Sequence, residues 1–278
     1  MVCPYPKNKG SAVRFCLWPL MSEIINLEKL VGSKTFNAVK NLEDNSEIIF
    51  VNSLRGKEIK FNIKNLRSLW QSAGQEYIEP DLLNFIDNIE PNGIYFDIGA
   101  SIGNFCLYAA SKEIKVFAFE PEITNHYLLL TNSLLNEEYQ KNIKNYCIAI
   151  GEKNKFEEIK NEKFEISSHQ KRINDYSFNP AYSQKTFTIS LDDFCKLENI
   201  WPTDIKIDVD GYEEQCVGGM KENLTNSNLK NIFIEIDLEQ ESSVKALDEI
   251  QKYKFEIISS KQVQNYKNLY NYVLSKST

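Results

Sequence analysis

Three stretches of this chain hold residue types that do chemistry only when brought together. IYFDIGASIG at 94–103 ends an apolar run in a turn with two glycines, and FAFEP at 117–121 follows about one strand–helix unit later. Gly99 and Gly103 let the backbone turn sharply and bring bare amides close to a ligand. Glu120 closes the second apolar run, where a carboxylate can accept hydrogen bonds from both hydroxyls of a ribose. IKIDVDGYE at 205–213 places Asp208 and Asp210 around a glycine bend, and IFIEID at 232–237 adds Glu235 and Asp237. Adjacent parallel strands ending in carboxylates make an acidic rim. The plainer role for Asp208 or Asp210 is to cap the following helix, a place that favours Asp.

The charge pattern narrows the nucleoside. A dinucleotide site normally reads G-x-G-x-x-G, with glycine where the pyrophosphate comes closest. Here the turn reads D-I-G-A-S-I-G, so Ala100 and Ser101 leave less room for a diphosphate. Asp97 is unwelcome beside a pyrophosphate but suits a cation. S-adenosylmethionine has no phosphate and carries a positive sulfonium and a positive amino group, and Asp97 is expected to hold the ammonium end, directly or through water. The alternatives are an NAD-dependent oxidoreductase and a nucleoside-binding module without catalysis. The acidic rim speaks against the second, because a scaffold has no need to crowd carboxylates at strand ends.

Elements that could position these groups alternate along the chain. EIIFV and EIKFNI predict a hairpin over 47–63, and EYIEPDLLNFIDNIE predicts an amphipathic helix over 76–90 with Pro80 in its first turn. From 93 onward strands (IYFDI, KVFAF, NYCIAI, TFTIS, TDIKIDV, KNIFIEI, KFEIIS, LYNYVLS) alternate with helical segments. The alternation predicts an α/β fold, Rossmann-like and doubly wound, with a mostly parallel sheet and an antiparallel edge at the C-terminal end. Residues 1–75 read as an N-terminal arm and hairpin, and 76–278 as the catalytic domain with a polar insertion at 152–185.

A chain of 278 residues with 42% hydrophobic residues can bury a sizeable core. A net charge of −7 argues against a general nucleic-acid binder, and RNA methylation is disfavoured on the same ground. No apolar run is long enough to cross a bilayer, and AVRFCLWPLM at 12–21 lacks the pattern of a secretory leader. The six cysteines form no C-x-x-C pair, so zinc is not expected, and reduced thiols point to a cytoplasmic protein. Cys106 and Cys147 read as small core residues.

FDIGASIG, AFEP and DIKIDVDGYE, in that order and spacing, resemble the FkbM-type class I methyltransferases, over about residues 76–240. Ser101 stands where that family usually has Asn. The resemblance implies a seven-stranded sheet and an S-adenosylmethionine-dependent O-methyltransferase acting on a hydroxyl of a sugar, glycan or nucleotide-sugar. It assigns Asp97, Gly99, Ala100, Ser101, Gly103 and Asn104 to the methionine-side loop, Glu120 to the ribose and Pro121 to the turn behind it. Ala149 falls near the adenine, and Glu79 reaches toward the methionine end.

A sugar hydroxyl becomes a good nucleophile only as its proton leaves. Asp208, Asp210 and Glu235 are the candidate catalytic residues. If Asp208, Glu235 and Asp237 converge, their hard oxygens suit Mg²⁺; otherwise they orient the substrate without metal. His126 reads as a packing or surface residue. His169, in the insertion, is either a solvated loop residue or part of a substrate pocket. Tyr176, Phe178 and Tyr182 either stack on sugar rings or pin the insertion to the domain.

Overall fold

Alternating apolar positions and a two-residue turn make the first described element a hairpin. Strands β1 (Ile48–Leu54) and β2 (Lys57–Ile63) pair antiparallel around Arg55 and Gly56, both at positive φ. The computed structural model describes residues 48–161, 171–173, 180–264 and 266–277, together with Ser33, Lys34 and Asn37 in a helical segment. The chain divides into two compact units, Met1–Glu47 and Ile48–Thr278. The hairpin thus lies within the second of these units. Its Ile59, Phe61 and Ile63 share a core with Leu82, Leu83 and Ile86.

Two short helices, α1 (Leu66–Ala73) and α2 (Gln75–Ile78), precede α3 (Pro80–Asp87). The single helix expected over 76–90 is divided at Pro80. Proline lacks the N–H that would continue α2 and pushes the preceding residue out of helical geometry. Glu79 accordingly sits at φ −137°, ψ 63°, in the joint between α2 and α3.

The main sheet starts with β3 (Ile94–Ile98), α4 (Asn104–Ser111), β4 (Lys115–Phe119), α5 (Ile123–Leu135), α6 (Glu137–Gln140) and β5 (Ile143–Tyr146). The second half adds α7 (Leu191–Glu198), β10 (Asp204–Ile207), α8 (Glu213–Gly218), α9 (Lys221–Thr225), β11 (Asn231–Asp237), α10 (Glu241–Gln251), β12 (Phe255–Gln262) and β13 (Leu269–Lys276). The seven strands run in the order β12–β13–β11–β10–β3–β4–β5. All neighbours are parallel except β13, which is antiparallel to β11 and β12. The antiparallel strand therefore inserts between β11 and β12, and β12 forms the edge. Both faces are apolar: Phe96, Ile98, Phe117, Phe119, Ile205 and Ile207 face one core, and Tyr95, Val116, Ala118 and Phe233 the other. The strand order reverses between β3 and β10, and in such sheets ligands bind beyond the strand tips at that reversal.

Residues 149–189 build a second sheet. Strands β6 (Ala149–Ile150), β7 (Lys155–Asn161), β8 (Lys171–Ile173) and β9 (Tyr182–Ile189) lie in the order β6–β9–β7–β8. The apolar run NYCIAI, expected as one strand, is shared between β5 in the main sheet and β6 in this one. Cys147 lies at the break and is exposed, contrary to the expectation of a core thiol, whereas Cys106 is buried. His169, Tyr176 and Phe178 lie outside the described residues.

Candidate active site

The sequence of the β3–α4 turn dictates its shape. Gly99, Ser101 and Gly103 all have positive φ, at 86°, 50° and 89°. A side chain at Gly99 would put Cβ 1.9 Å from the carbonyl oxygen of Asp208, so only glycine lets the tips of β3 and β10 approach this closely. The amides of Gly99 and Ala100 both donate to the carbonyl of Phe119 at 3.0 Å. The Ser101 amide donates to Glu120 Oε2 at 2.9 Å, and the Glu122 amide to Glu120 Oε1 at 3.0 Å. Glu120 is thus buried and held in one orientation by two backbone amides.

A narrow cleft of about 100 Å³ lies over these tips. Gly99, Ser101, Glu120, Pro121 and Ala149 line it, with Asp208 and Asp210 on the β10 side. Among the described residues that line it there is no Lys or Arg. Ser101 Oγ is buried at this wall with no hydrogen-bond partner among the described residues. A buried hydroxyl without a partner is costly. The second sheet closes the cleft through Ile159 and Ile173, while Tyr212 and Asn125 complete the lining.

Asp210, Tyr212 and Ile173 also border a wider cavity of about 780 Å³. Glu213, Glu235, Asp237 and Glu239 line it, together with Tyr266, Lys267 and Asn268 from the β12–β13 turn. The narrow cleft alone is smaller than a nucleoside; the two spaces together reach the size of a small-molecule site.

Five expected cofactor residues, Glu79, Asp97, Ala100, Gly103 and Asn104, do not line the narrow cleft. Asp97 is 1% exposed and faces inward: Cys106 Sγ donates to its Oδ2 at 3.0 Å, and Lys206 Nζ lies 3.1 Å from Oδ1. It does not line the cleft, because position 97 alternates onto the α4 face of the sheet, with Tyr95. Asn104 is buried and turned toward α1, its Nδ2 donating to the Gln71 carbonyl at 2.9 Å. Gly103 lies against Leu129 of α5 and shapes the turn from behind. Pro121 turns the chain after β4, and its carbonyl accepts from Gln184 Nε2 at 2.7 Å. Ala100, 5% exposed, packs into the core next to the loop.

The acidic rim is divided by a lysine that the motif reading passed over. Lys206, 2% exposed on β10, donates to the Gly99 carbonyl at 2.7 Å and lies 3.2 Å from Asp208 Oδ2. Burial works against its charge, yet Asp208, Asp97 and Glu79 outweigh burial and hold the ammonium above the ordinary lysine range. Burial, then Asp208, raises the Glu79 carboxyl to about 8. Burial, followed by Asp208, Glu79, Asp210 and Glu213, lifts the Glu235 carboxyl well above the carboxylate range. Glu213 accepts from the Gly211 amide at 2.8 Å and from Ser243 Oγ at 2.7 Å, which fixes the bend carrying Asp210. Tyr212 bonds to Glu157, which also accepts from Thr188 Oγ1 at 2.8 Å and pairs with Lys155 at 2.6 Å. The signal for Lys206 was present in the sequence: a lysine inside an apolar parallel strand must find acidic partners.

The expected Mg²⁺ ligand set does not form. Asp237 accepts from the Glu239 amide and from Gln240 Nε2, both at 3.0 Å, and Asp208 is paired with Lys206. Among the described residues no group of three His, Cys, Asp or Glu side chains is arranged to hold a metal ion. His126 is partly buried, and burial lowers its proton affinity. Tyr182 Oη donates to Glu122 Oε1 at 2.8 Å, pinning the second sheet to the N-terminus of α5.

A family profile for the methyltransferase FkbM domain matches residues 97–257, more than half of the chain. The chain belongs to this family of S-adenosylmethionine-dependent methyltransferases. Among solved structures it is similar to the methyltransferase FkbM of Methylobacillus flagellatus KT, with 13% identity and a TM-score of 0.47 over 76% of this chain and 55% of that one. It thus spans little more than half the length of that protein. It is also similar to precorrin-6y C5,15-methyltransferase from Geobacter metallireducens GS-15, at 13% identity and TM-score 0.44, covering 72% and 87% of the two chains. Aeropyrum pernix fibrillarin, in complex with natively bound S-adenosyl-L-methionine, is 11% identical with a TM-score of 0.42 over 83% of each chain. No curated protein matches the chain. No helix among the described residues is long and apolar enough to cross a membrane.

Proposed function

We propose that the chain methylates a hydroxyl of a sugar, glycan or nucleotide-sugar, in the cytoplasm, with S-adenosylmethionine as donor. The observation that carries this reading is the junction at Asp210, Tyr212 and Ile173, where the cleft bearing Glu120, with no Lys or Arg among its described lining residues, meets the wide, carboxylate-lined cavity. A cleft without Lys or Arg suits a phosphate-free, positively charged nucleoside. Glu120 accepts the ribose hydroxyls, Ser101 Oγ supplies a further polar contact, and Ala149 lies against the adenine. Asp208 gives the methionine end negative charge, and the Glu79 carboxyl, largely protonated at neutral pH, adds a polar contact. The donor supplies a methyl group on a positive sulfur.

The chain's own residues then align the acceptor and take its proton. Holding a nucleophile close and in line supplies much of the rate gain. Glu235 is the preferred proton acceptor: its raised proton affinity makes it a stronger base than an ordinary carboxylate. Asp208 and Asp210 orient the acceptor. The test is incubation with labelled methyl donor and a pool of sugars, glycans and nucleotide-sugars, followed by mass spectrometry. Label on a carbohydrate oxygen supports the reading. Label found only on nitrogen, on RNA or on no carbohydrate contradicts it.

A further inference from the structure

Lys206 has no part in the chemistry above, yet it joins the tips of β3 and β10 on the cofactor side. Its position in β10 is in register with Asp97 of β3. Its ammonium donates to the Gly99 carbonyl at 2.7 Å and forms ion pairs with Asp97 Oδ1 at 3.1 Å and Asp208 Oδ2 at 3.2 Å. Gly99 is the residue whose missing side chain lets the two tips meet, and its amide is held from the other side by Phe119. The first residue of the cofactor loop is therefore fixed at its N–H by β4 and at its C=O by Lys206. Two residues on, Glu120 fixes the Ser101 amide. Among the described residues no other Lys or Arg is paired with Asp97 or Asp208.

We propose that Lys206 is a positioning residue for the methyl donor: it locks the Gly99–Gly103 loop against the tip of β10 and sets the charge facing the donor's sulfur. The inference rests on the S-adenosylmethionine reading. The two halves of the claim have different consequences. A loosened loop weakens every ligand of the cleft alike. Removing a positive charge beside the sulfur favours the sulfonium of S-adenosylmethionine over the neutral thioether of S-adenosylhomocysteine, because the two ligands differ at that atom by one charge.

The experiment is calorimetric titration of the full chain and of Lys206→Met with both compounds. The expected result is an S-adenosylhomocysteine Kd raised tenfold or more, an S-adenosylmethionine Kd raised about threefold, and hence a ratio shifted about threefold toward the cation. Adding Asp97→Asn to Lys206→Met removes the buried carboxylate left without its partner, and is expected to restore at least half of the lost affinity on a logarithmic scale. Affinities within twofold of wild type in folded Lys206→Met would overturn the proposal, as would equal losses for both ligands. If Lys206→Met does not fold, the double variant carries the test: wild-type Kd values and an unchanged ratio in it overturn the proposal, and a shifted ratio supports it. A wild-type chain that binds neither compound would instead sink the functional reading itself.

Discussion

Two carboxylates at this site do opposite kinds of work, and a pair of substitutions separates them. Glu120 is held by the Ser101 and Glu122 amides and faces the narrow cleft, so its task is to bind. Glu235 lies in the wide cavity under the influence of four other carboxylates, and in the proposed reaction its task is proton transfer. Glu120→Ala is expected to weaken S-adenosylhomocysteine binding by roughly 1–3 kcal/mol, the cost of losing hydrogen bonds to a charged group. Glu235→Gln is expected to leave that affinity within about twofold while lowering kcat by roughly 10²–10⁴, the usual range for a general base. Calorimetry and single-turnover kinetics on both variants check the pair. Loss of cofactor affinity in Glu235→Gln, or normal affinity in Glu120→Ala, would reverse the assignment. These residues were legible in the sequence because each ends an apolar strand. The orientation of Asp97 and Asn104 was not, since a motif gives position along the chain and leaves the face of the sheet open.

The second sheet is the element that the sequence concealed. Residues 152–185 look polar, and a polar stretch suggests a loop. In β7 the inward positions include Glu157 as well as Ile159, and a buried glutamate breaks the alternation that would mark a strand. Glu157 is tolerated inside because Lys155, Thr188 and Tyr212 all contact it. Such compensation is long-range and invisible to a local reading. The same contact couples the second sheet to the bend after β10, and Ile159 and Ile173 then close the cleft. Tyr212→Phe removes one hydrogen bond from this network while Lys155 and Thr188 still serve Glu157. The expected cost is about 1–2 kcal/mol in urea unfolding, with a modest loss of cofactor affinity. A variant as stable as wild type would mean that the second sheet is held by other contacts.

At the scale of the whole molecule, the succession of strands and helices and the mostly parallel sheet were readable from the alternation of apolar runs and helices. Placing β13 inside the sheet was not, because a one-residue pattern on a half-buried strand says nothing of its neighbours. The whole chain also carries the energetic consequence of its acidic rim. Glu79 has a folded-state value of about 8, against an ordinary glutamate value when unfolded. Between those two values the folded state binds the extra proton, so stability falls as pH rises through this window and levels off above it. Glu235 acts in the same direction. Thermal unfolding followed from pH 5 to 9 is expected to show this decline, and Glu79→Gln to flatten it. An unchanged slope in the variant would show that Glu79 is not the group responsible.

The central claim is that the crevice between β3 and β10 accepts a positively charged sulfur nucleoside and refuses a diphosphate. Titrating the wild-type chain in a calorimeter with S-adenosylmethionine, and separately with NAD⁺, tests it most directly. The expected result is saturable one-to-one binding of the first, with a Kd on the order of 1–100 μM, and no heat of binding from the second. Binding of NAD⁺ with no response to S-adenosylmethionine would contradict it.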